Sequence, residues 1–162
     1  MALTAERLGP EQVERAVAWL SRGELVGLPT ETVYGLGALG LNAVAVARIF
    51  AAKGRPADNP LILHVHDVDA ALGLWRASER EEQRVFRLGP LWPGPLTLVL
   101  PARSEVPGVV TAGLPTVAVR VPDHPVTLRI LARLAAPVAA PSANRSGEPS
   151  PTRAEHVLAG LG

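Results

Sequence analysis

Asn42-Ala43-Val44-Ala45-Val46-Ala47-Arg48-Ile49-Phe50-Ala51-Ala52, then Lys53-Gly54-Arg55-Pro56, then Leu61-Ile62-Leu63-His64-Val65 is the stretch on which the fold turns. The first run has the length and apolar content of a helix, with Asn42 as its N-cap and Gly54 near its end. The last run is short, apolar and β-branched, the mark of a buried strand. A helix that leads through a short loop into a strand is a unit of α/β folds. The loop between them carries Lys53, the only lysine beside fifteen arginines. An ammonium is a compact charge that approaches a single phosphate oxygen, and the Arg55 guanidinium adds a planar fork for two. The pair suits an anion; a lone lysine left on a solvated loop is the plainer alternative.

Outward from that unit, helix and strand patterns alternate. Residues 10–20 read as a helix, with Pro10 at its start and Gly23 just past its end. Strands are expected at 25–28, 96–100, 117–121 and 138–140, and helices at 67–74, 78–88 and 125–134. Thr152-Arg153-Ala154-Glu155 has the spacing of a capping box that opens a last helix. The class is α/β with a mixed sheet. With 162 residues, 48% of them hydrophobic, the chain fits one domain over residues 1–162.

Composition removes several function classes. There is no cysteine, which excludes disulfides, thiol nucleophiles and cysteine-based zinc sites. Residues 1–10 lack a basic start followed by an apolar stretch, and no run nears the roughly 18 apolar residues of a membrane span. A cytoplasmic protein without membrane contact is expected. Net charge is +1, and the arginines between Arg76 and Arg87 alternate with Glu79, Glu81 and Glu82, as on a solvated helix face. Asparagine occurs only three times; Asn42 caps a helix, so Asn59 and Asn144 in polar loops stand out.

Familiar motifs are weak or missing. Gly35-Leu36-Gly37-Ala38-Leu39-Gly40 fits G-x-G-x-x-G, but Pro29 through Tyr34 separate it from the preceding strand, where a dinucleotide fingerprint has no such gap. No phosphate-binding G-x-x-x-x-G-K-[ST] and no G-x-S-x-G elbow occur. His66, His124 and His156 are too scattered for a metal site, so no protein-bound metal is expected. The polar residues fall into four loops: 29–35; 53–60 with His64 beyond it; 116–120; and 141–152. Hydroxyls, amides and glycines grouped this way surround anions. Turn chemistry suits Ser146, and ligand contact suits Ser142. Arg120, in the apolar strand Val117-Ala118-Val119-Arg120-Val121, needs either an internal carboxylate or a substrate acid group. His64 is equally a hydrogen-bonded rim histidine or a ligand contact. Glu31 and Asp58 are loop carboxylates whose default partner is water, with acid, base or magnesium roles as the alternative.

Five motifs in order carry a resemblance. They are Pro29-Thr30-Glu31-Thr32-Val33-Tyr34-Gly35-Leu36-Gly37; Lys53-Gly54-Arg55-Pro56 with Asn59-Pro60-Leu61; Pro93-Gly94-Pro95 with Thr97; Val119-Arg120-Val121-Pro122 with His124-Pro125; and Ser142-Ala143-Asn144-Arg145-Ser146-Gly147. Together they resemble the YrdC family, the threonylcarbamoyl-AMP synthases, over about residues 10–160. The resemblance implies an open twisted sheet of parallel and antiparallel strands flanked by helices, with a concave, positively charged face. It implies that L-threonine, bicarbonate or CO2 and ATP, with Mg2+, give threonylcarbamoyl-AMP and pyrophosphate. The product would pass to threonylcarbamoyl-transferase machinery that modifies tRNA. Carried over by position, Thr32, His64, Arg120 and the Ala140 backbone would face threonine. Lys53, Arg55, Asn59, Thr116, Ser142, Asn144 and Ser150 would face ATP, with Lys53 and Arg55 the catalytic pair. Family members continue past the last helix, so a short single-domain form is expected here. Two other functions fit the same face: a non-catalytic module for double-stranded RNA or tRNA, and a relative that makes a different carbamoyl-adenylate.

Overall fold

The structure, a computed structural model, describes residues 5–162; residues 1–4 of the expected domain lie outside the described residues. In chain order the elements are α1 (Val13–Ser21), β1 (Val26–Leu28), β2 (Gly35–Leu39), α2 (Ala43–Lys53), β3 (Ile62–His64), α3 (Val68–Leu72), α4 (Glu79–Leu88), β4 (Leu98–Pro101), α5 (Gly108–Thr111), β5 (Thr116–Arg120), α6 (Pro125–Leu134), β6 (Val138–Ala139) and α7 (Ala154–Leu161). The strands form one sheet in the order β1-β2-β6-β3-β5-β4. Only β3 and β5 are parallel; the other neighbours run antiparallel. The α/β class and the mixed sheet are as the sequence implies.

Local chemistry explains most boundaries. Asn42 caps α2 by accepting the Val44 and Ala45 amides, each at 3.1 Å, and Gly54 ends it with φ of 60°. The expected helix at Pro10 begins three residues later, because Pro10 and Glu11 form a turn and the Gln12 side chain accepts the Gly9 amide at 2.8 Å. The capping box expected at Thr152 does not form: Arg153 is the N-cap and no side chain caps the helix. Glu155 pairs with Arg7 instead, at 2.5 Å. A capping box does form at Ser78 and Glu81.

Strand β2 is absent from the sequence reading because its glycines mask it. They are there for room. A Cβ on Gly37 would stand 2.8 Å from Leu28 Cδ1, and one on Gly40, just past the strand, 2.9 Å from the Pro137 carbonyl oxygen.

The two faces of the sheet are covered differently. Leu63, Val117 and Val119 pack under α2 with Ala45, Val46, Ile49 and Trp75. On the other face Val26, Leu28 and Val138 meet Val13, Ala16 and Leu20 of α1 and Ile130 and Leu131 of α6. That cover stops halfway across. Directly opposed residues share a face, so Val99, Ala118 and Ile62 form a row across β4, β5 and β3. The row continues to Ala140, whose amide donates to the Ile62 carbonyl at 3.2 Å. Ala118, Ile62 and Ala140 are half-buried and Val99 is 60% exposed. This row is the open floor on whose rim the polar candidates stand.

Candidate functional site

One rim lies at the C-terminal ends of β3 and β5. There His64 and Arg120 are register partners, both buried, at 5% and 9% exposure. Arg120 donates through Nε to the Gly94 carbonyl at 3.2 Å and through Nη2 to Thr32 Oγ1 at 3.3 Å. Its charge is met by Glu31 Oε1, an ion pair whose side chains are 11% and 18% exposed. The sequence default of solvent for Glu31 is therefore corrected: the carboxylate that a buried guanidinium demands sits one residue before Thr32. The other Glu31 oxygen accepts the Asp123 amide at 2.9 Å. Burial lowers the Arg120 guanidinium from its ordinary value, and burial pushes His64 down to about 4, so its ring is neutral. His64 Nδ1 is buried without a hydrogen-bond partner.

The other rim is built around Lys53, and here a second correction is needed. Lys53 was expected on an exposed loop, but it is the last residue of α2 and only 3% exposed. Its Nζ donates to the carbonyls of Ser142 and Asn144, while its own carbonyl accepts the Ser146 amide at 2.8 Å. A buried ammonium needs acceptors, and backbone carbonyls supply them. Burial, followed by the neighbouring Arg55 charge, brings Lys53 down from 10.5 to about 8. Asn144 turns its amide group to the Arg145 and Glu148 carbonyls at 2.7 and 2.8 Å, which leaves its buried Oδ1 without a partner.

The two rims are stitched together through Tyr34. Its amide donates to the Pro151 carbonyl and its carbonyl accepts the Ala143 amide, both at 2.8 Å. Gly35 bridges to Ser142. These three contacts join the loop 29–34 to the loop 141–151.

Not every candidate converges. Arg55 folds onto its own loop, donating to the Asn59 carbonyl at 3.2 Å and the Pro60 carbonyl at 2.9 Å. Asn59 is exposed. Thr116 opens β5 and Arg120 closes it, so the two stand roughly 13 Å apart at about 3.3 Å per residue. Ser150 is exposed and lines a cavity of about 450 Å3 with Asn144, Thr152 and His156. A larger cavity, about 640 Å3, lies among α1, β1 and α7 and holds none of the candidates. Its lining is mostly apolar, and its charged members Glu6, Arg7 and Glu24 are each paired, with Arg15, Glu155 and Arg48. Gly94 is a contact that sequence reasoning missed. Its carbonyl holds Arg120, and Pro93 and Pro95 on either side were the signal for a fixed backbone there.

Comparison with known proteins places this geometry. The family model Sua5_yciO_yrdC, described as "Telomere recombination", matches residues 18–162. The chain belongs to the Sua5/YciO/YrdC family. It is 51% identical to the threonylcarbamoyl-AMP synthase of Pyrococcus abyssi over 94% of its length and 44% of that protein's. It is 39% identical to the threonylcarbamoyl-AMP synthase of Vibrio vulnificus (strain YJ016) over 93% of its length and 81% of that protein's. Among solved structures, P. abyssi Sua5 complexed with L-threonine superposes with a TM-score of 0.88 at 49% identity, covering 96% of this chain and 45% of that one. The chain thus spans less than half the length of the P. abyssi relatives it matches. As a Sua5/YciO/YrdC domain it shares their open mixed sheet. No helix among the described residues is long and apolar enough to cross a membrane.

Proposed function

We propose that residues 1–162 form one YrdC-like domain that makes threonylcarbamoyl-AMP and pyrophosphate from L-threonine, CO2 or bicarbonate, and ATP. The observation that carries this is the pair of rims: a buried guanidinium beside Thr32 and a neutral histidine on one side, and a buried ammonium under Ser142 and Asn144 on the other. Membership in a family whose relatives are named threonylcarbamoyl-AMP synthase, and the likeness to a threonine complex, support it.

Arg120 takes the threonine carboxylate, with Thr32 and the Ala140 backbone beside it. His64, neutral and beside Arg120 in the register, would line the threonine site without adding charge. The threonine ammonium loses a proton to solvent, the free amine adds through nitrogen to CO2, and a second N–H proton leaves to solvent as the carbamate forms. A carbamate oxygen then attacks the α-phosphorus of ATP while the bond to pyrophosphate breaks, so two anions must be held in line. Lys53 and Arg55 oppose the charge that grows on the phosphates, with Asn59, Thr116, Ser142, Asn144 and Ser150 as further nucleotide contacts. Magnesium would come with ATP and neutralise its phosphates. Asn144 Oδ1, a hard oxygen without a partner, fits such a cation. No step calls for a thiol or a covalent nucleophile, in keeping with a chain that has no cysteine. The adenylate would be passed to threonylcarbamoyl-transferase machinery acting on tRNA in the cytoplasm.

The test is pyrophosphate release from ATP with magnesium and bicarbonate, with L-threonine, L-serine, L-alanine or no amino acid. Release that depends on L-threonine is expected. A folded protein that binds RNA in a salt-dependent way and releases no pyrophosphate would make it a binding module instead.

A further inference from the structure

Arg120 is the only arginine buried among the described residues, and it is already paired. Its partner Glu31 stands at a bend whose shape Thr30 fixes: Thr30 Oγ1 donates to the Val33 carbonyl at 2.6 Å and accepts the Thr32 and Val33 amides, each at 3.2 Å. Glu31 is thus held by two different groups, the guanidinium on one oxygen and the Asp123 amide on the other. A positive and a negative charge lie side by side at the edge of the open floor, one fixed on a strand and the other on a loop.

An α-amino acid carries the same two charges on groups bonded to one carbon. From standard bond lengths its ammonium nitrogen and carboxylate carbon are about 2.5 Å apart. We propose that Glu31 is a specificity residue for this zwitterion: when the amino acid binds, Glu31 yields Arg120 to the substrate carboxylate and takes the α-ammonium, keeping the Asp123 amide as its pivot. The inference rests on the assignment of Arg120 to the threonine carboxylate.

Charge decides between ligands here. Arg120 and Glu31 sum to zero, and a zwitterion leaves that sum unchanged. A carboxylic acid without the amine adds an uncompensated negative charge to a poorly solvated place, which is disfavoured. Arg120 alone would bind such acids readily, and Glu31 is what turns them away.

The experiment is calorimetric titration of the full chain, without ATP, with L-threonine and with 3-hydroxybutyrate, which is threonine lacking its amine. Wild type and Glu31→Gln are compared, with melting curves for both. Wild type should bind threonine about tenfold or more tighter than 3-hydroxybutyrate, and Glu31→Gln should narrow or reverse that ratio by weakening threonine and strengthening the hydroxy acid. An unchanged ratio in a folded Glu31→Gln would overturn the inference, as would threonine binding that tightens. Should the variant not fold, equal wild-type affinity for the two ligands still overturns it. Wild type that binds no threonine at all would instead remove the Arg120 assignment, and the inference with it.

Discussion

Arg120 and Lys53 are both buried cations on the rims of one floor, but they are neutralised in different ways. Arg120 faces a side-chain carboxylate, Glu31, on a separate loop, whereas Lys53 faces two backbone carbonyls of the very loop it supports. A carboxylate can be exchanged for another carboxylate. Backbone carbonyls cannot leave without undoing the turn that presents Ser142 and Asn144. The first cation is therefore a place for a ligand, and the second is a bracket that holds ligand-binding groups in position while its third N–H remains for a phosphate. Two buried cations, one on a strand and one at a helix end, need not do the same work.

The difference is sharpest in stability. Lys53→Met removes the donor from two enclosed carbonyls and should cost about 2–4 kcal/mol, together with loss of ATP turnover; chemical denaturation beside pyrophosphate release checks both. Next comes His64. Its folded pKa, about 4, lies below its ordinary 6.5, so the unfolded chain takes up the proton first. Stability is full above about pH 6.5 and should fall by up to roughly 3 kcal/mol as the pH drops to about 4. His64→Asn, which does not titrate, should flatten that part of the curve. Arg120→Met leaves the partly buried Glu31 without its cation and should cost about 1–2 kcal/mol, with threonine affinity down by ~100-fold and ATP binding little changed. Arg55→Ala is the mildest. Its guanidinium bonds only exposed loop carbonyls, so stability should change by less than about 1 kcal/mol while turnover drops by ~100-fold. A stability loss for Arg55→Ala as large as that for Lys53→Met would erase the contrast.

The sequence carried the alternation of helix and strand, because periodicity and caps are local: Asn42, Gly54 and the run at 61–65 appear where their chemistry demands. It did not carry β2, whose Gly37 is set by Leu28 on the neighbouring strand and by Val138, about a hundred positions further on. Lys53 was legible as special but not as buried, since its acceptors lie some ninety positions further on. Arg120 was legible as a charge needing an internal carboxylate or a substrate acid, but not that the carboxylate is Glu31, since only the fold brings β5 against the 29–34 loop. Thr152 is not the cap because the helix starts one residue later, with Arg153 at the N-cap and Glu155 paired to Arg7, a partner far away in the chain. The separation of Thr116 from Arg120 follows from strand length once both are placed on β5.

Cross-titration tests the division between the rims most directly: L-threonine and ATP with magnesium are each titrated into wild type, Arg120→Met and Lys53→Met, after melting curves have shown which variants are folded. Arg120→Met should lose threonine and keep ATP, and folded Lys53→Met should lose ATP and keep threonine. Loss of both ligands in a folded Arg120→Met, or of neither in a folded Lys53→Met, would contradict the assignment of one rim to the amino acid and the other to the nucleotide.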